Sequence, residues 1–332
     1  MKFRFALVLA VSGLLAAAGV SAQQPIVIKF SHVVAVDTPK GKAAEYFKKL
    51  AEERTKGRVK VELFPNSSLF KDGEEMEAVQ LGSVQMLAPS LAKFGPLGLR
   101  EFEVFDLPYM FDDFVELHKV TQGPVGMGLL KKLDSKGIVG LAYWDNGFKV
   151  MSANKAIRMP ADYKGLKMRI QSSKVLGDQM KALGSIPQVM AFSEVYQALQ
   201  TGVVDGTENP PSNFYTQKMQ EVQKYLALTN HGYLGYAVIV NKKFWDGLPA
   251  DIRTTLEGAM NDTTKFANEI AKKENDDAIE AVRKTGKTEI LTLTPEQKAA
   301  MKKALNVVHK DNESRVGKET IQAVYKETGF TP

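Results

Sequence analysis

The stretch "GLKMRIQSS" (165–173) alternates Leu166, Met168 and Ile170 with Lys167, Arg169 and Gln171, which is the period of a strand and puts an arginine at its centre. A strand fixes the backbone beneath the side chain, so a guanidinium there can hold two parallel donors against the two oxygens of a carboxylate. The rival reading is a solvated sheet face. Further residues of matching chemistry accompany it: the cations Lys93 and Lys149, the donors Asn209, Ser90 and Ser172, and the aromatic side chains Phe192, Phe148 and Tyr236. His32 and Asp72 come from neighbouring segments and complete the set. Taken singly each has a bland alternative: loop lysines, a turn amide before Pro210, a core phenylalanine, a satisfied loop histidine. Taken together they suit a small organic acid, because each charge-assisted hydrogen bond contributes about 1.5–3 kcal/mol.

What would bring them together is the order of elements. "IVIKFS" (26–31) reads as a strand, Thr38 and Pro39 open a helix, "VKVELF" (59–64) is a second strand, Glu74 to Leu81 a second helix and "VQMLA" (84–88) a third strand. The same order recurs over 166–206, with strand "LKMRIQ", a helix around Val175 to Leu183, strand "IPQVMA", a helix from Glu194 capped by Ser193, and strand "VVDG". Such runs imply mainly parallel sheets flanked by helices, an α/β architecture. Ligands collect at the carboxyl ends of such strands, and those ends deliver the residues named above.

"YWDNGFKVMSA" (143–153) and "HGYLGYAVIVNKK" (231–243) read as paired crossings between two lobes, and a paired crossing makes a hinge. We place residues 24–146 with 235–274 in the first lobe and 147–234 with 275–332 in the second. From Asp251 to Lys284 no proline interrupts a helical pattern, so one long helix or two abutting ones is expected, running across the back of both lobes.

The N-terminus carries Lys2 and Arg4, then an apolar run from Phe5 to Val20, then "VSA" ending at Ala22. This is the pattern of a cleaved export signal, and the run is short of the ~20 residues of a spanning helix. Its removal takes the net charge from +6 to +4. Lys and Glu are interspersed without a basic stripe, which argues against nucleic acid. Zero cysteines exclude disulfides, thiolate metal sites and a cysteine nucleophile. A GxSxG elbow and an HExxH helix are absent, and the four histidines (His32, His118, His231, His309) are scattered. "GPVGMG" (123–128) follows no clear strand and reads as a turn before the helix "GLLKKL". An exported enzyme is therefore the weaker hypothesis, and no catalytic residue, metal or cofactor is expected.

"KMRIQSS" followed by "PQVMAFSEVYQALQTGVVDGTENP" resembles the central region of TRAP transporter substrate-binding proteins. "SHVVAVDTPKG", "APSLAKFGPLG", "WDNGFKVMSANK" and "NKKFWDGLP" resemble its C4-dicarboxylate-binding, DctP-type branch. The resemblance implies the two-lobed periplasmic binding protein-like fold and capture of an organic acid in the interlobe cleft. It also implies delivery to a small and a large integral membrane subunit driven by an ion gradient, usually sodium. By the same resemblance Arg169 pairs the ligand carboxylate and Asn209 assists. Lys149 stands where sialic-acid binders have arginine, and Ser90 where they have an acid. Both departures favour a C4-dicarboxylate (succinate, fumarate or malate) over a sialic acid, with Lys93 or Lys149 meeting its second carboxylate. The alternative is another acid for the same kind of binder: a monocarboxylate, an aromatic acid or a sugar acid. The protein is expected to work as a monomer in the periplasm.

Overall fold

The computed structural model describes residues 24–332; the export leader read over residues 1–22 lies outside the described residues. Strands β1 (Ile26–Ser31) and β2 (Val59–Phe64) pair in parallel from Ile26↔Val59 to Ser31↔Phe64. The helix Pro39–Arg54 crosses between them, starting where Thr38 accepts a hydrogen bond from the Gly41 amide with Pro39 at the first helical position. With β3 (Met86–Leu87), β4 (Ile138–Phe148) and the later β10 (Tyr233–Asn241) they form a five-stranded sheet in the order β2-β1-β3-β10-β4.

A second, six-stranded sheet is built from β5 (Val150–Ala153), β6 (Lys167–Ile170), β7 (Ile186–Val189), β8 (Gly206–Asn209), β9 (Tyr225–Ala227) and β11 (Glu289–Leu291). Its order is β11-β9-β5-β8-β6-β7. Both sheets are parallel where strand–helix–strand units build them, as in β1/β3 and β6/β7, and antiparallel where crossing strands β4, β5 and β10 insert. They are thus more mixed than the element order alone implies.

The chain leaves the first sheet at Phe148 and enters the second at Val150, so Lys149 is the crossing residue. The Lys149 amide donates to the Gly232 carbonyl at 2.8 Å, tying the outward crossing to the returning one. The long helix is a single element, Ala250–Thr285. Its first half buries Ile252, Leu256 and Met260 with Phe30 and Phe47 of the first lobe, and near its end Val282 packs with Val150 and Phe214 of the second. Between these, Thr264, Asn268 and Asn275 fall on one face at helical spacing. They bond in turn to Trp144 Nε1 (3.1 Å), the Asp145 amide (3.0 Å) and the Asn146 carbonyl (2.6 Å) along β4. Gly147 is required there, since a Cβ would stand 2.6 Å from Asn275 Nδ2.

The C-terminal helices divide between the lobes. Met301 and Leu305 pack with Met168 and Ile170, whereas Ile321 and Val324 pack with Leu117 and Val120 beside the first sheet. Residues 275–332 therefore do not belong wholly to the second lobe. Two smaller expectations also change. The helix Val195–Gln200 begins from a 3₁₀ turn over Phe192–Glu194 with no Ser193 side-chain cap, and "GPVGMG" forms the opening turns of the helix Pro124–Lys132.

Candidate functional site

The carboxyl ends of β1, β3, β6 and β8 converge on the cleft between the two sheets. Its inner part is narrow and is lined by Ser90, Lys93 and Tyr236 from the first lobe and Phe192 and Asn209 from the second, with Asp72 between them. An adjoining outer part shares Asp72 and Lys93 and adds Arg169 and Ser172. His32 and Lys149 line neither part.

Arg169 is buried at 1% exposure. Its Nε and Nη2 donate to the Met190 carbonyl at 3.0 and 2.8 Å, and its guanidinium lies 5.6 Å from the Phe192 ring centre. One carbonyl thus fixes the side edge of the guanidinium. Both Nη1 hydrogens and one on Nη2 remain, and these include the end-on fork that fits a carboxylate. Among the described residues no carboxylate forms an ion pair with it; Asp72 and Glu208 act on it only through their charge. Burial lowers its proton affinity, yet a guanidinium stays charged in proteins. Asn209 lies one strand away, at the end of β8, donating to Thr207 Oγ1 at 3.3 Å. The short strand expected at 203–206 is displaced to Gly206–Asn209, which makes Asn209 a strand-end residue.

The three buried lysines around the cleft differ in one respect, their counter-ions. Lys93 forms ion pairs with both Asp72 and Glu75. Burial alone would raise Asp72, but Lys93 and then Arg169 hold its carboxyl down at about 2. Glu75, fully enclosed, is pushed up by burial despite Lys93. Lys149 is paired with Glu208 at 2.9 Å. Burial opposes the charge on Glu208 too, but Lys149 and then His231 pull it to about 2. The charge of Lys149 is therefore matched inside the second lobe by Glu208, away from the residues that line the cleft. His32 is buried as well: burial, reinforced by Lys40, lowers it to about 3, so it is a neutral ring packed edge-on to Phe30.

The third lysine, Lys40, was not singled out by its sequence. It lines the inner cleft, donates to the Ala88 carbonyl at 2.9 Å and sits 3.7 Å from the centre of the Tyr236 ring. The signal available was its place in the first turn of a helix, where the dipole disfavours a cation. Gln171 was passed over as well, although it follows Arg169 by two residues and lines both parts of the cleft. Tyr236 carries the Asn146 amide on its hydroxyl at 2.6 Å, linking the site to the crossing strand.

Two lobes closing over a buried, fixed guanidinium with amide and hydroxyl donors define a binding protein for small organic anions. The chain belongs to family 7 of the bacterial extracellular solute-binding proteins, whose DctP family model matches residues 30–315. It is 67% identical over 301 residues to the C4-dicarboxylate-binding periplasmic protein DctP of Rhodobacter capsulatus, covering 91% of this chain and 90% of that protein. Among solved structures it resembles a TRAP periplasmic solute-binding protein from Shewanella oneidensis with bound succinate (TM-score 0.89, 41% identity, 92% of this chain and 99% of that one). It is equally similar in fold to the sugar-acid-binding protein DctPAm of Advenella mimigardefordensis in complex with galactonate (TM-score 0.89, 32% identity, 92% and 98% covered). The family is one of solute-binding proteins, not enzymes. Among the described residues no helix is long and apolar enough to cross a membrane.

Proposed function

We propose that this chain is the periplasmic solute-binding component of a TRAP transporter that captures a C4-dicarboxylate between its lobes and hands it to the small and large membrane subunits. The observation that carries the reading is the buried Arg169 fork, held by Met190, open to the cleft and without a carboxylate partner among the described residues. One carboxylate of the ligand pairs with that fork, with Asn209 beside it. The other lies against first-lobe donors around Ser90. Closure follows from differential affinity, because an open form offers one lobe's contacts at a time. The 67% identity to a C4-dicarboxylate binder supports the substrate class.

A second reading, a sugar acid, is favoured by the amide-rich wall of Gln171, Asn209 and Asn213 and by the likeness to a galactonate binder. A thermal-shift screen of the leader-free chain against succinate, fumarate, malate, butyrate, galactonate, a sialic acid and an aromatic acid separates the two. A ligand that binds only the folded state stabilises it by about 2.7 kcal/mol at a hundredfold excess over its dissociation constant. Stabilisation by the C4 diacids at the lowest concentrations is expected. Stabilisation by galactonate in their place would overturn the substrate while keeping the role of Arg169.

A further inference from the structure

We propose that Lys40, rather than Lys93 or Lys149, is the first-lobe cation that receives the second carboxylate and so makes the protein prefer diacids to monoacids. This rests on the dicarboxylate reading and deepens it. An ammonium enclosed in protein is costly unless an anion stands against it. Lys93 has two such anions and Lys149 has one, whereas Lys40 has a carbonyl and a ring face. Of its three N–H donors, one goes to Ala88 and one faces Tyr236, which leaves one for the cleft that Lys40 lines. The first turn of the helix Pro39–Arg54 disfavours a charge there, and no carboxylate among the described residues forms an ion pair with it. The missing counter-ion is the carboxylate that arrives with the ligand.

The groups facing Lys40 agree with this. His32 from the end of β1 is neutral, Glu75 and Asp72 from the second helix and its approach are occupied by Lys93, and Tyr236 from β10 keeps its proton. Burial, the largest influence, pushes Lys40 down to about 7, with Glu75 opposing and Lys93 assisting. A bound carboxylate raises it again. Above pH 7 the liganded protein therefore holds more protons than the free one, and diacid affinity falls as pH rises.

The test is calorimetric titration of the leader-free chain with succinate and with butyrate, which differ by one carboxylate, backed by ligand-induced melting shifts for weak binding. Lys40→Met should weaken succinate about 10- to 150-fold, the range of one charged hydrogen bond, and leave butyrate within a few-fold. Removal of a buried charge should not unfold it, and its unliganded melting temperature checks this. Lys93→Met should weaken both acids alike, so their ratio is preserved. Lys40→Arg, charged at every pH, should keep the diacid preference and abolish the fall in affinity from pH 7 to 9. A Lys40→Met variant that keeps the wild-type ratio, or a Lys93→Met variant that loses it, overturns the assignment alone. Failure of the wild-type chain to bind any C4 diacid overturns the dicarboxylate reading and the assignment with it.

Discussion

At the scale of the residue, Arg169 separates what a side chain's type tells from what its partners tell. Alternation in the strand placed it, and chemistry named its ligand class. The Met190 carbonyl, 21 positions away, is what aims it. Arg169→Ala should cost about 2–5 kcal/mol of ligand affinity, the range for truncating one partner of a buried charge pair. Arg169→Lys should lose most of the same amount, because an ammonium cannot both hold Met190 and present a fork. Equilibrium titration of the two variants checks this, and a lysine variant binding as tightly as the parent would sink the bidentate assignment. The lysines were less legible for the same reason. Lys93, Lys149 and Lys40 look alike in sequence, and only the position of Asp72, Glu75 and Glu208 in space tells which of them is already paired.

At the scale of the element, local pattern served well where an element is stabilised locally. β1 and β2 have the bounds that alternation gives, and Thr38 caps its helix as read. It failed where a distant group intervenes. The start of the Phe192–Glu194 turn is capped not by Ser193 but by Asp72, whose carboxylate accepts the Phe192 amide from across the cleft. A comparable tie joins the helix Phe114–Gln122 to both crossing strands. His118 Nε2 lies 2.6 Å from Asp145 Oδ2 on β4, and the Tyr233 hydroxyl of β10 donates to Asp145 Oδ1 at 2.6 Å. The hydrogen bond to Asp145 raises His118 above its ordinary value, with burial opposing. A histidine whose folded-state value exceeds the unfolded one contributes stability that is fully present below the unfolded value, about 6.5, and lost as pH rises through the folded value. Denaturant midpoints should therefore show a loss between pH 5.5 and 8.5 that is absent in His118→Gln. Equal losses in both proteins would remove His118 as the cause.

At the scale of the whole molecule, the two-lobed plan was visible in the order of strands and helices, because parallel pairing with helical crossovers leaves few topologies. The return of the last helix to the first lobe was not visible, since amphipathic helices dock wherever an apolar face is offered. Nor was the contact between lobes, which joins residues more than a hundred positions apart. There, Asp72 of the first lobe accepts the Phe192 amide of the second, and Lys71 pairs with Glu194 at 3.1 Å on the exposed rim. These ties exist only when the lobes touch, so they act on opening and not on encounter. Asp72→Ala should raise the ligand dissociation rate about tenfold or more, as loss of a charged hydrogen bond demands, while association changes by less than threefold. Asp72→Asn keeps an oxygen for the Phe192 amide but loses the ion pair, and should fall between. Lys71→Ala should do little, because an exposed pair contributes about 0–1 kcal/mol. Stopped-flow binding of succinate resolves the two rates. A slowed association with unchanged dissociation in Asp72→Ala would show that the carboxylate shapes the open site and does not hold the lobes shut.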